Sequence, residues 1–205
     1  MSRTSLTSDA SRRLVATRTA VAWVAAGAAW LAAGAAGAAG GGHGRWRFDA
    51  VEVLWIAADL LLLAGLFGLR ALRPHGSSRA GILGLGIAIV GRLVFVASEV
   101  VSLALRSDEN PLLPLGAVLT ATGIVAFGIA VVRRGSWTPA ARCGAVAMGV
   151  YPFVVMFPIL AANGGEPSQP AIAGWGLVAI ALGTAVGSTR HTVHDGIRDL
   201  EVNAR

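Results

Sequence analysis

The chain carries apolar runs too long for a water-soluble domain of its size to bury. They fall at about 20–39, 50–69, 81–104, 112–132, 141–162 and 171–188. A hydrocarbon core of ~30 Å is crossed by ~20 helical residues, and each run is close to that length or beyond it. In lipid every backbone polar group needs an internal partner, so such runs fold as helices. The predicted fold class is all-α: a polytopic membrane protein, one bundle of six transmembrane helices. A polar tail, 1–19, precedes the bundle and a second, 189–205, follows it. Only 14% of residues are charged, against about 25% in soluble domains.

The breaks between runs have turn chemistry: Pro74-His75-Gly76-Ser77-Ser78, Asn110-Pro111 with Pro114, Gly135 to Pro139, and Asn163-Gly164-Gly165 to Pro170. Gly40 to Gly44 ends the first run, and Arg45, Trp46, Arg47 and Phe48 read as an interfacial anchor. The first run is mostly Ala and Gly with Trp23, Trp30 and Leu31, so it is weakly hydrophobic and is expected to pack inward.

All 17 basic residues are Arg, and the net charge is +6. With the N-terminus inside, thirteen arginines lie in inner segments: 3, 12, 13 and 18, then 70, 73 and 79, then 133, 134 and 142, then 190, 198 and 205. The outer loops hold Arg45, Arg47 and Arg106. That asymmetry predicts cytoplasmic termini and contact with anionic lipid rather than nucleic acid. The Arg, Ala and Gly bias is that of a GC-rich bacterial genome, so the expected address is a bacterial plasma membrane. Ser11-Arg12-Arg13-Leu14-Val15 is similar to a twin-arginine signal, but the long run behind it reads as a start-transfer helix. The single Cys143 excludes an intrachain disulfide and a Cys-rich metal site.

Four charges fall within the second and third runs: Glu52, Asp59, Arg92 and Glu99. The short loop between the runs makes them antiparallel. Asp59 lies 11 residues from Arg70, about 16 Å along a helix, and Arg92 lies 13 residues from Arg79, about 20 Å. The two depths agree within a turn, near the bilayer centre. Glu52 and Glu99 each stand seven residues further out, two turns away on the same faces. Asp59 is therefore expected opposite Arg92, with two carboxylates stacked above. A lone charge at the bilayer centre costs about 2.5–3.5 kcal/mol on insertion scales, and pairing removes much of it. Arg45, Arg47 or Arg106 could reach the upper carboxylates; otherwise one of these holds its proton. The cluster is either a salt bridge that sets helix register or a polar pocket, opening outward, for a cation, a proton or a small polar solute.

Other features read as packing. Tyr151-Pro152 and Met156-Phe157-Pro158 predict a kinked fifth helix. Gly81, Gly84, Gly86 and Gly91 lie inside an apolar helix and read as close-packing positions, not a phosphate loop. Thr120, Thr122, Thr184 and Ser188 are expected to bond backbone within their helices. His191 and His194 are three apart but lack confirming ligands, and His43 sits in a Gly-rich loop, so no metal or other cofactor is expected. No Ser/His/Asp set or HExxH stands at matching depth. A shift of 60 places Phe67-Gly68-Leu69 on Phe127-Gly128-Ile129, Arg73 on Arg133 and Gly84 on Gly144. The second and third helices are thus a possible copy of the fourth and fifth. The charges are not copied, since Asp59, Arg92 and Glu99 fall on Leu119, Pro152 and Ile159.

Asp59-Leu60-Leu61, Arg92-Leu93-Val94 with Ala97 and Glu99, and Arg133, Gly135 and Pro139 give 48–162 a resemblance. It resembles the six-span bacterial membrane proteins grouped as domains of unknown function. A carboxylate expected in the last span is missing. The resemblance implies a fold and a membrane address and no activity. The expected function is that of a non-enzymatic integral membrane protein with a buried charge cluster. The alternative is a small proton-coupled transporter or channel subunit, a homo-oligomer in lipid.

Overall fold

The computed structural model describes the backbone of 3–38, 45–105, 110, 112–166 and 168–203, and the side chains of 10–37, 50–105, 110, 112–166 and 168–188. His43, Arg45, Arg47, Arg106, His191 and His194 lie outside the described side chains. The elements are α1 (Arg3–Ala38), α2 (Arg45–Leu72), α3 (Arg79–Leu105), α4 (Leu112–Arg134) and α5 (Pro139–Tyr151). A π-helical turn (Pro152–Met156) then leads into α6 (Phe157–Ala162), and α7 (Gln169–Asn203) completes the chain. Six stretches are long and apolar enough to cross a membrane: Ala10–Gly37, Ala50–Leu72, Arg79–Leu105, Leu112–Arg134, Pro139–Ala162 and Gln169–Ser188. Leu83, Val90, Val154 and Leu177 are more than half exposed, an outward apolar surface that suits lipid and not water. The chain is a multi-pass all-α membrane protein.

Both polar tails extend the helices beside them. Residues 3–19 and 189–203 are helical, continuous with the spans beside them. No Gly or Pro interrupts the sequence before Gly27, so nothing stops the first helix at the end of its apolar run. At 36 residues, α1 is about 54 Å long, well beyond the hydrocarbon core.

Each span packs on its chain neighbour, α5 packs on α7, and α7 returns to α1. The six form a closed ring. Its interior is filled by Trp23 and Trp30 of α1, Leu62 and Leu66 of α2, Leu85 of α3, Phe127 of α4, Met148 of α5 and Trp175 of α7. The closest approaches use small residues. A Cβ on Gly116 would lie 2.8 Å from the Phe95 nitrogen, so α3 and α4 meet backbone to backbone. A Cβ on Gly176 would lie 2.6 Å from the Gly27 carbonyl oxygen, which draws α7 onto α1 in the same way.

Two loops lock together at the end of the ring that holds the α2–α3 and α4–α5 turns. The Ser136 hydroxyl donates to the Pro74 carbonyl at 2.6 Å, and buried His75 packs edge-on to Phe127. Gly135, at φ 68°, ends α4 in the left-handed region, and the Thr138 hydroxyl caps α5. These short, fixed turns hold α2 against α3 and α4 against α5, and so set the depth of every residue above them.

Candidate functional site

Asp59 on α2 and Arg92 on α3 meet inside the ring. Arg92 Nη1 donates to Asp59 Oδ1 at 2.8 Å, and the residues are 2% and 0% exposed. The depth argument from the two loop-proximal arginines thus matches the structure. Their contact depends on α2 and α3 running antiparallel from a tight turn.

The pair sits in an aromatic box that comes from three helices. Trp30 of α1 donates its indole N–H to the same Asp59 Oδ1 at 3.0 Å. The Arg92 guanidinium carbon lies 4.9 Å from the ring centre of Phe95, 5.0 Å from Trp175 and 5.8 Å from Trp30. Trp30 is packed edge-on between Trp55 and Trp175, at 5.0 and 4.8 Å. Ring faces attract a cation, and more strongly where water is absent. The box replaces part of the hydration that the guanidinium loses.

Glu99 is also buried, 6% exposed, and its carboxyl comes within hydrogen-bonding reach of the Asp59 carboxyl. The stacking expected from spacing placed it beside Glu52 instead. The Cα–Cβ bond of a helical residue tilts toward the helix N-terminus. On α2 that tilt carries Asp59 toward the Glu52 end, and on antiparallel α3 it carries Glu99 back toward Arg92, so the two carboxyls converge. Glu52 is half-buried and close enough to act on Glu99 electrostatically. Among the described residues, Asp59 Oδ2 and Glu99 Oε2 have no donor, although both are buried.

The fifth span reaches the box through Trp175. Pro152 has no N–H, so the carbonyl four residues back, that of Met148, loses its helical donor. Trp175 Nε1 supplies one at 2.8 Å. Beyond the proline the ladder widens, and the Phe157 N–H reaches the Pro152 carbonyl five residues back. Tyr151 Oη donates to the Ala171 carbonyl at 2.9 Å. Trp175 therefore touches the guanidinium with its ring and the broken helix with its nitrogen.

Sequence reading missed Trp30, Trp55, Phe95 and Trp175 as members of the site. The available signal was the indole N–H, which needs an acceptor wherever it is buried. Trp30 finds Asp59 and Trp175 finds the carbonyl freed by Pro152. Among the described residues no cluster of three His, Cys, Asp or Glu is arranged to hold a metal. A groove between α1 and α7, lined by Ala20, Val24, Ala28 and Gly183, is almost wholly apolar and contains none of the charged residues.

Fold and site together define a multi-pass membrane protein with a buried ion pair between its second and third spans. Compared with protein-family models, with curated proteins and with solved structures, the chain matches none. The functional reading therefore rests on the geometry of the site.

Proposed function

We propose that this chain is a non-enzymatic integral membrane protein of a bacterial plasma membrane, and that its buried cluster binds one small cation, the proton. The reading rests on the reach of the Glu99 carboxyl to that of Asp59, with Arg92 the one guanidinium beside them among the described residues. Two ionised carboxylates have no donor between them and repel; with one proton between them they hydrogen-bond. One guanidinium, two carboxyls and one proton also make a neutral site. Neutrality matters where a net charge costs several kcal/mol.

Loss of that proton leaves a net negative charge in a sealed, low-dielectric place. Exchange therefore requires the ring to loosen enough to admit water. A proton that moves only when the bundle rearranges is what a small proton-coupled transporter or channel subunit needs. The fifth span supports this use of the site. It carries Pro152 and a π-helical turn and is tied to the site through Trp175, and π-turns inside α-helices are frequent at functional sites. The arginine asymmetry supports cytoplasmic termini, the orientation that sets Glu52 and Glu99 toward the outside.

The test is proton flux in liposomes that hold the purified protein and a trapped pH dye. Under an imposed pH gradient the wild type should carry a saturable flux. Glu99→Gln should abolish it and leave helical content and elution volume unchanged. Equal fluxes would leave the second reading, in which the boxed Arg92–Asp59 pair is a static lock on helix register and Glu99 is silent.

A further inference from the structure

Ser98 and Ser102 lie on α3 on either side of Glu99 in sequence, toward the end of the helix away from the α2–α3 turn. Both are buried, at 0% and 3% exposure, and both hydroxyls lack a partner among the described residues. This is unusual for serine in a helix, where the hydroxyl commonly bonds the carbonyl a turn back. Thr120, on the facing helix, does bond that way, to Gly116 at 2.7 Å. The two serines are four apart and so stack on one face; Ser102 is three from Glu99 and about 60° around the helix from it. Glu99 Oε2 is a third buried polar atom without a donor. Above them, half-buried Asn110 donates from Nδ2 to the Ser98 carbonyl at 3.0 Å and accepts from the Leu112 N–H, fixing the entry to α4.

A buried water typically makes about three hydrogen bonds to groups that otherwise have none. The two hydroxyls and Glu99 Oε2 are three such groups, and Ser102 stands at helical spacing, about 5–6 Å at Cβ, from both Ser98 and Glu99, a gap that one water bridges. We infer that Ser98, Ser102 and Glu99 form a hydration site that relays the proton between Glu99 and water at the Asn110 end of the bundle. This inference rests on the proton-binding reading of Glu99. In the relay the Glu99 O–H bond breaks as a new O–H bond to the water forms. The water gives one of its other protons to the Ser102 oxygen, and Ser102 releases its own outward to solvent. Glu99 is left as a carboxylate facing Asp59 and Glu52 of α2 and Arg92 of its own helix, the charged groups that act on it. Serine, an acceptor and donor at once, suits this role, whereas an apolar residue would seal the route.

Infrared spectroscopy of the full chain in liposomes tests the relay. Protonated carboxyl groups have a separate carbonyl band, and transfer to D2O shifts it as the proton exchanges. Glu99→Gln should remove the band; if the band persists, the proton-binding reading falls. Given that band, Ser98→Ala/Ser102→Ala should keep its intensity and slow its exchange about tenfold, as for one hydrogen bond lost along the relay. Ser102→Thr, which keeps a hydroxyl, should exchange at close to the wild-type rate. If the double variant does not fold, Ser102→Ala alone should still slow exchange. Exchange as fast as wild type in the serine variants, with the Glu99 band intact, overturns the relay and leaves the proton site standing.

Discussion

Arg92 stays charged at any pH a cell meets, so adjustment in the site falls to the carboxyls around it. Removing the guanidinium leaves Asp59 buried without its counter-ion. Arg92→Met should therefore cost about 3–5 kcal/mol at neutral pH, measured by reversible unfolding in detergent micelles. Asp59→Asn should cost less, because Glu99 can give up its proton and face Arg92 in place of the lost carboxylate. Equal penalties would argue that Glu99 does not respond to Asp59. The positions of these residues were legible from loop distance and helical rise. The partner of Glu99 was not, because spacing in sequence gives face and depth but leaves out the tilt of each side chain along its axis. With that tilt included, antiparallel helices bring residues at different depths together.

Among the elements, the fifth span most departs from a plain helix. Pro152 and Pro158 made an irregular helix legible, seen as the π-helical turn, but the residue that satisfies the freed carbonyl was not. Trp175 is on another helix, and no local pattern joins residues paired across the ring. Trp175→Phe keeps a ring beside Arg92 and removes the donor to Met148, so it should cost about 1–3 kcal/mol. Pro152→Ala restores a backbone N–H for that carbonyl. In that background Trp175→Phe should cost clearly less, and the same unfolding assay measures the difference. Strictly additive penalties would show that the indole does not serve the broken helix. The tails show the reverse case. Residues 3–19 are polar and read as a tail, yet without a Gly or Pro the helix of the first span simply continues through them.

At the scale of the molecule, six spans were legible because apolar length and turn chemistry act locally. The order of packing around the ring was not, since helices that are apolar on every side carry no stripe to show which neighbour they face. The closed ring makes the charge cluster a shared property of four spans: α1 and α7 supply tryptophan rings, α2 the aspartate, and α3 the arginine, the glutamate and the Phe95 ring. A net charge in such a site is costly in a bilayer, and on the proposed reading a proton shared by Asp59 and Glu99 cancels it. The infrared carbonyl band of protonated carboxyl groups, recorded at neutral pH in liposomes, counts that proton directly. The account predicts one buried protonated carboxyl in the wild type, none in Asp59→Asn and two in Arg92→Met. The same count in all three proteins would contradict it.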